Sequence, residues 1–241
     1  VREGAVRPAA LRPRREEGMT APLASLGALL PAPGELAGII LLSLFVSGVA
    51  IVVSMLVGVP AGIFLGLHRF PGRSFLVTLV NTGMGLPPVV VGLGVFLLLA
   101  RSGPFGGLDL LYTPWAMVLA QVVIATPLVV GITLAAIQGL DERLHLQILS
   151  LGASRAQLYL KLVKEARLSL VAALAAGFGS IISEVGAVMM VGGNIKGQTR
   201  VMTTAIVLET RQGEFANAIV LGVILLALAL GINWLFTAVQ Q

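Results

Sequence analysis

Five long apolar blocks, separated by short polar or glycine-rich segments, run along this 241-residue chain. A helix needs about 20 apolar residues to cross a bilayer. Leu36–Leu67, Phe75–Ala100, Tyr112–Ile137, Leu168 to about Val191, and Phe215–Val239 each meet that length. They predict an all-α membrane protein of about five transmembrane helices. The first block places Gly58, Gly62 and Gly66 four residues apart, a face on which another helix can approach closely, and Pro60 between them predicts a kink. The second contains NTGMGLPPVVVGLGVF, where Pro87 and Pro88 predict a broken helix. The third is expected to be interrupted at Thr126–Pro127. Such breaks persist at membrane depth only where protein or a water-filled path satisfies the freed backbone groups.

Between the third and fourth blocks lies a stretch of different character, DERLHLQILSLGASRAQLYLKLVKEAR, residues 141–167. Leu144, Ile148 and Leu151, then Leu158 and Leu162, recur at three- and four-residue steps. That spacing predicts short helices, each with one apolar face. Gly152 between them permits a sharp bend. Joining two spans requires only a few polar residues, so a structured element of this length predicts a docking surface.

Composition strengthens the membrane reading. The chain is 57% hydrophobic and 11% charged, against about 25% charged in soluble domains. It has no cysteine, which excludes disulfides and thiolate metal sites. The formal charge of +5 reflects loop orientation rather than nucleic-acid binding. Arg69 and Arg73 in the first turn, and Arg143, Arg155, Lys161, Lys164 and Arg167 in the 141–167 stretch, place both on the cytoplasmic side. The 101–111 and 192–214 loops are then external, the N-terminus outside and the C-terminus cytoplasmic. Arg2, Arg7, Arg12, Arg14 and Arg15 are disfavoured outside. Residues 1–34 are therefore expected to be a disordered extension with the native start at Met19. Residues 35–241 form one membrane domain carrying the cytoplasmic loop 140–167.

Catalytic machinery is absent from the pattern. GGNIKGQT lacks the G-x-x-x-x-G-K-[ST] spacing of a phosphate-cradling loop, and no H-E-x-x-H or G-x-S-x-G occurs. If ATP is used, another chain hydrolyses it. No cofactor or metal is expected here. Glu184 is the acid set well inside a predicted span. It reads either as a gate residue facing a path or as an acid hydrogen-bonded between helices. Asn194, Lys196, Thr199, Arg200, Thr203 and Thr204 follow the fourth block. As a group they would suit a tetrahedral oxyanion through charge-assisted hydrogen bonds. The alternative is a solvated external loop.

LGASRAQLYLKLVKEARLSLVAAL resembles the cytoplasmic EAA loop of ABC importer permeases. EVGAVMMVGGNI with TRVMTTAI, and NTGMGLPPVVVGLGVFLLLARSGP, resemble the tungstate branch of that family. The resemblance implies the type I importer fold and a homodimer with two copies of an ATPase carrying Mg-ATP. It also implies an oxyanion-binding protein, periplasmic or a lipoprotein, and a bacterial or archaeal inner membrane. It further implies ATPase coupling through Leu149, Ser150, Leu151, Gly152, Ala153, Ser154, Arg155, Ala156 and Gln157. The chain departs from the motif. Leu146, Gln147 and Ile148 stand where the family has Glu-Ala-Ala, and Lys164–Glu165 replaces Leu-Pro. Molybdate and sulfate permeases share this architecture. An ion-coupled secondary transporter is the alternative of another class, with Glu184 its candidate coupling group.

Overall fold

A computed structural model describes residues 33–141, 147–148 and 150–240. The described residues form helices α1 (Pro33–Leu67), α2 (Arg73–Met84), α3 (Pro88–Leu99), α4 (Pro114–Gln138), α5 (Arg155–Glu165), α6 (Arg167–Ile182), α7 (Gly186–Gly192), α8 (Met202–Gln212) and α9 (Phe215–Gln240), with a 3-10 turn at Gly106–Leu108. Three helices, α1, α4 and α9, are long and apolar enough to cross a membrane. Two bent pairs raise the count to five if each is one span: α2 with α3 at 105°, and α5 with α6 at 71°. The expected N-terminal extension, residues 1–32 of it, lies outside the described residues, as do Arg143, Leu144, His145, Leu146 and Leu149.

α4 is the frame. It packs along α1 for most of its length and also touches α2, α3, α6 and α7. Met117, Ala120, Ala125 and Val129 on it are fully buried. The α1–α4 contact is closest along the glycine stripe. A Cβ at Gly58 would lie 2.7 Å from Val129 Cγ1, one at Gly62 2.6 Å from Thr133 Cβ, and one at Gly66 2.7 Å from Ile137 Cγ2. Residues 129, 133 and 137 are four apart on α4, so two like-spaced rows meet face to face. Lipid tails are as apolar as leucine, so such pairs associate through van der Waals contact, which absent side chains make possible.

Outward faces are apolar. Ile219, Val223, Leu226, Leu230 and Trp234 form an exposed stripe on α9, and Leu41 and Leu56 are exposed on α1. Water would penalise such a surface; a bilayer solvates it.

Two expectations are corrected. α4 runs without interruption through Pro127. The proline removes the donor for the Val123 carbonyl, yet Thr126 Oγ1 donates to the Val122 carbonyl at 2.7 Å and the ring is seated against Gly83 of α2, where a Cβ would stand 2.8 Å away. Packing on both sides holds the helix together. α1 is also continuous through Pro60, where a kink is expected. The fourth block does not run on to Val191: α6 stops at Ile182, residues 183–185 break it, and α7 resumes at Gly186.

A methyl group at Gly62 would also meet the Val130 carbonyl oxygen at 2.8 Å, a backbone atom that cannot turn aside. Gly62→Ala should therefore destabilise the fold by about 1–3 kcal/mol through overpacking. Gly48→Ala, with nothing within 4 Å, should be neutral. Thermal unfolding in detergent compares the two directly.

Candidate functional site

The break at Ser183–Val185 frees backbone groups inside the bundle, and side chains from neighbouring helices take them up. Gln121 Nε2 on α4 donates to the Ile181 carbonyl at 2.9 Å. Thr203 Oγ1 at the start of α8 donates to the Glu184 carbonyl at 2.9 Å. The Glu184 carboxylate accepts from the Ala187 amide at 3.1 Å, capping α7 with an acid where the helix dipole favours one. Ser43 on α1 accepts from the Met202 amide at 2.9 Å while donating to the Ile39 carbonyl at 2.7 Å. The break is thus bonded to α4 and α8, and α8 is bonded in turn to α1 through Ser43. Glu184 is half-buried at the break, not enclosed in a continuous span.

The second break lies beside the first. α2 ends at Met84 and α3 begins at Pro88, with Pro87 in extended conformation between them. α3 then runs against α7. A Cβ at Gly92 would sit 2.6 Å from the Ala187 Cα, and one at Gly186 2.6 Å from Val89 Cγ2. A cleft of about 280 Å³ opens there, lined by Met84, Pro87, Ile124, Leu128 and Ser180 among others. Two interrupted helices with irregular backbone therefore share one zone around α4. Irregular backbone at membrane depth marks buried protein or a water-filled path.

The loop after α7 distributes its polar residues among different tasks. Thr199 Oγ1 donates to the Gly192 carbonyl and accepts from the Ile195 amide at 3.0 Å. Thr204 Oγ1 closes a turn on Val201 through its amide and carbonyl, both at 3.1 Å. Both threonines are fully buried and committed to backbone. Lys196 and Arg200 converge on Glu35 at the start of α1, at 2.8 and 3.7 Å. Asn194 holds a left-handed backbone at φ 52°. The six residues expected to face one oxyanion are accordingly not gathered on a single point.

At the opposite end of α1 sits the elbow. Gly152 adopts φ 75°, the left-handed conformation that β-branched residues resist. Ser154 then starts α5 with a capping box: its Oγ accepts from the Gln157 amide at 3.3 Å, and Gln157 Oε1 accepts from the Ser154 amide at 2.8 Å. Leu158 and Leu162 are buried against Ile63 of α1 and Ile137 of α4. The elbow therefore rests on the ends of the two most closely packed helices. Leu151, expected on the packed face, is instead 86% exposed. Ser150, Gly152, Ser154, Ala156 and Gln157 are also exposed and Ala153 is half-buried; Leu149 lies outside the described residues, and the Arg155 backbone opens α5.

Gln121, Ser43, Glu35 and the capping box were missed from sequence. S-x-x-Q after the LGA turn was a readable signal for the box. A lone glutamine inside an apolar block was a weaker one.

Residues 58–241 match the family model described as the binding-protein-dependent transport system inner membrane component. The chain is 44% identical over 203 residues to a "Probable anion ABC transporter permease protein" of Haloferax volcanii, covering 82% of this chain and 88% of that one. It is 38% identical over 203 residues to the tungstate uptake system permease protein TupB of Peptoclostridium acidaminophilum, covering 84% and 89%. It is 30% identical over 201 residues to the molybdenum transport system permease protein ModB of Escherichia coli, covering 79% and 87%. Among solved structures, an inward-facing MetNI methionine ABC transporter matches with a TM-score of 0.65 at 17% identity, covering 88% of this chain and 96% of that one, a likeness of fold.

Thr203→Val removes the donor to the Glu184 carbonyl at nearly constant volume. It should cost about 1–3 kcal/mol, the penalty for a buried acceptor left unpaired. Thr237→Val, whose hydroxyl only bonds back to Asn233 on an exposed face, should cost far less. Thermal unfolding of the two variants side by side measures the difference.

Proposed function

The chain belongs to the family of binding-protein-dependent transport inner membrane components, and from that premise we propose that it is the permease subunit of an ATP-driven oxyanion importer carrying tungstate. The relatives named for anion and tungstate uptake, at 44% and 38% identity across most of both chains, support the cargo. In this reading two copies of the permease form the path across the bacterial or archaeal inner membrane. Two ATPase subunits hold Mg-ATP on the cytoplasmic side, and a binding protein delivers the anion outside. The N-terminus is external and the C-terminus cytoplasmic.

The observation that carries the coupling half of the proposal is the exposed Leu151–Gly152 tip on a capped helix buried against α1 and α4. Leu149–Gln157 would dock in a groove of the ATPase, which receives the exposed apolar Leu151. Closure of the ATPase pair then displaces the elbow, and α5 passes that displacement to the ends of α1 and α4. The two broken zones at Leu86–Pro87 and Ser183–Val185 are where neighbouring segments change angle relative to α4. The anion would pass beside them, first meeting Asn194, Lys196 and Arg200 at the external end, with Glu35 as their counter-ion until it arrives. Glu184, whose carboxylate is engaged at the α7 amide, would hold the gate's shape and bind no cargo, since its charge repels an anion. Molybdate is the second cargo to consider, on the 30% identical relative named for it.

The test is ATP hydrolysis by the reconstituted permease, ATPase and binding protein with tungstate, molybdate and sulfate in turn. Half-maximal stimulation by tungstate at a concentration at least tenfold below the other two supports the assignment. Equal response to molybdate replaces tungstate with a broader oxyanion cargo. Failure to form a complex with any ATPase rejects the importer reading. In the same system Gly152→Val, forcing a β-branched residue into φ 75°, should leave membrane insertion intact and abolish anion-stimulated hydrolysis. Normal stimulation in that variant removes the elbow from the mechanism.

A further inference from the structure

Beneath the Ser183–Val185 break is a small pocket of about 10 Å³, lined by Ser43, Ser47, Gln121, Glu184 and Thr203 with Val46, Ile182 and Val201. That volume is about one probe sphere, the smallest space that holds a water molecule. Its lining is contributed by α1, α4, the end of α6, the break and the start of α8.

Gln121 is 4% exposed. Its Nε2 is committed to the Ile181 carbonyl, which fixes the amide plane, and its Oε1 is buried with no hydrogen-bond partner among the described residues. A buried amide oxygen without a donor is costly, and more so in a membrane interior. Two of the neighbouring hydroxyls do not supply that donor because they serve elsewhere: Ser43 donates to Ile39 and Thr203 to Glu184. A water has two donors and two acceptor sites. It would give one proton to Gln121 Oε1 and reach the Ser47 hydroxyl, the Glu184 carboxylate or the remaining lone pairs of Ser43 and Thr203 with the rest, within the two to four partners a buried water typically finds.

We propose that this pocket is a specific site for one water molecule, which ties Gln121 of α4 to the Glu184 break and to Ser47 of α1. The direct bonds hold the break by single contacts from each neighbour. The water makes those contacts one connected network, so that the break and α4 move together. The site is independent of which anion the chain carries.

A structure of the assembled permease–ATPase complex at about 2 Å resolution tests the site itself. One density peak within hydrogen-bond distance of Gln121 Oε1 and of at least one more lining oxygen supports it. A dry pocket overturns it. So does a peak with five or more oxygens near 2.4 Å, the signature of a bound cation. A double-mutant cycle on the same complex tests the linkage. Ser47→Ala and Gln121→Met each remove one anchor while keeping most of the volume. Each should lower the thermal midpoint, and the double variant should fall no further than Gln121→Met alone, because both remove the same network. Strict additivity of the two losses overturns the shared water. Ser47→Ala changes a single hydroxyl and is the variant expected to assemble if Gln121→Met does not; an unchanged midpoint for it also counts against the site.

Discussion

Inside a bilayer a carbonyl or amide released from its helix has no water to turn to. Everything unusual in this fold follows from meeting that constraint at the Ser183–Val185 break. Gln121, Thr203, Ser43 and the Glu184 carboxylate each satisfy a backbone group, and they arrive from four different parts of the chain. The Ile181 carbonyl also accepts the Glu184 amide at 3.2 Å, so the break is held by backbone as well as by side chains. The break is therefore an anchored feature of the bundle, with a defined angle, and it can serve as a part that moves only if its neighbours move too.

Those neighbours are organised by α4. Small residues on α1 bring the two backbones together along a row from Gly58 to Gly66, and the far ends of the same pair carry the α5 helix through Leu158, Leu162, Ile63 and Ile137. α4 also supplies Gln121 to one break and receives Gly83 and Met84 of α2, beside the other, through Pro127 and Gly131. The elbow is thus joined to both breaks through a short sequence of close-packed contacts. Packed interfaces of this kind favour discrete rearrangement over gradual bending.

Much of this was legible in the sequence, for physical reasons that are equally clear. Apolar length marks spans, the four-residue glycine spacing marks a close-packing face, and the Pro87–Pro88 pair marks a break because no proline can donate to a helix ladder. The bend at Gly152 and the buried Leu158–Leu162 face were readable from a glycine and a helical repeat. What escaped depends on tertiary partners. Pro127 looked like an interruption, but Gly83 and the α4 packing hold the helix through it. The break at Ser183–Val185 carries no proline, and the bonds that hold it come from Gln121 and Thr203, 60 and 19 positions away from their partners in sequence, which no local pattern reports. The pairing of Lys196 and Arg200 was not readable because Glu35 lies more than 150 residues earlier in the chain. Leu151 fitted the apolar repeat and nevertheless faces outward.

The central claim is that the exposed elbow is where an ATPase drives this permease. The chain has no cysteine, so Leu151→Cys introduces a single thiol at its tip. In the reconstituted complex this thiol should cross-link to single cysteines placed around the ATPase groove, with a yield that changes between nucleotide-free and ATP-trapped states. The account predicts that change, together with no cross-link from a cysteine at Lys196 on the opposite end. Absence of any cross-link from residue 151 in a complex that still hydrolyses ATP in response to the anion would contradict it.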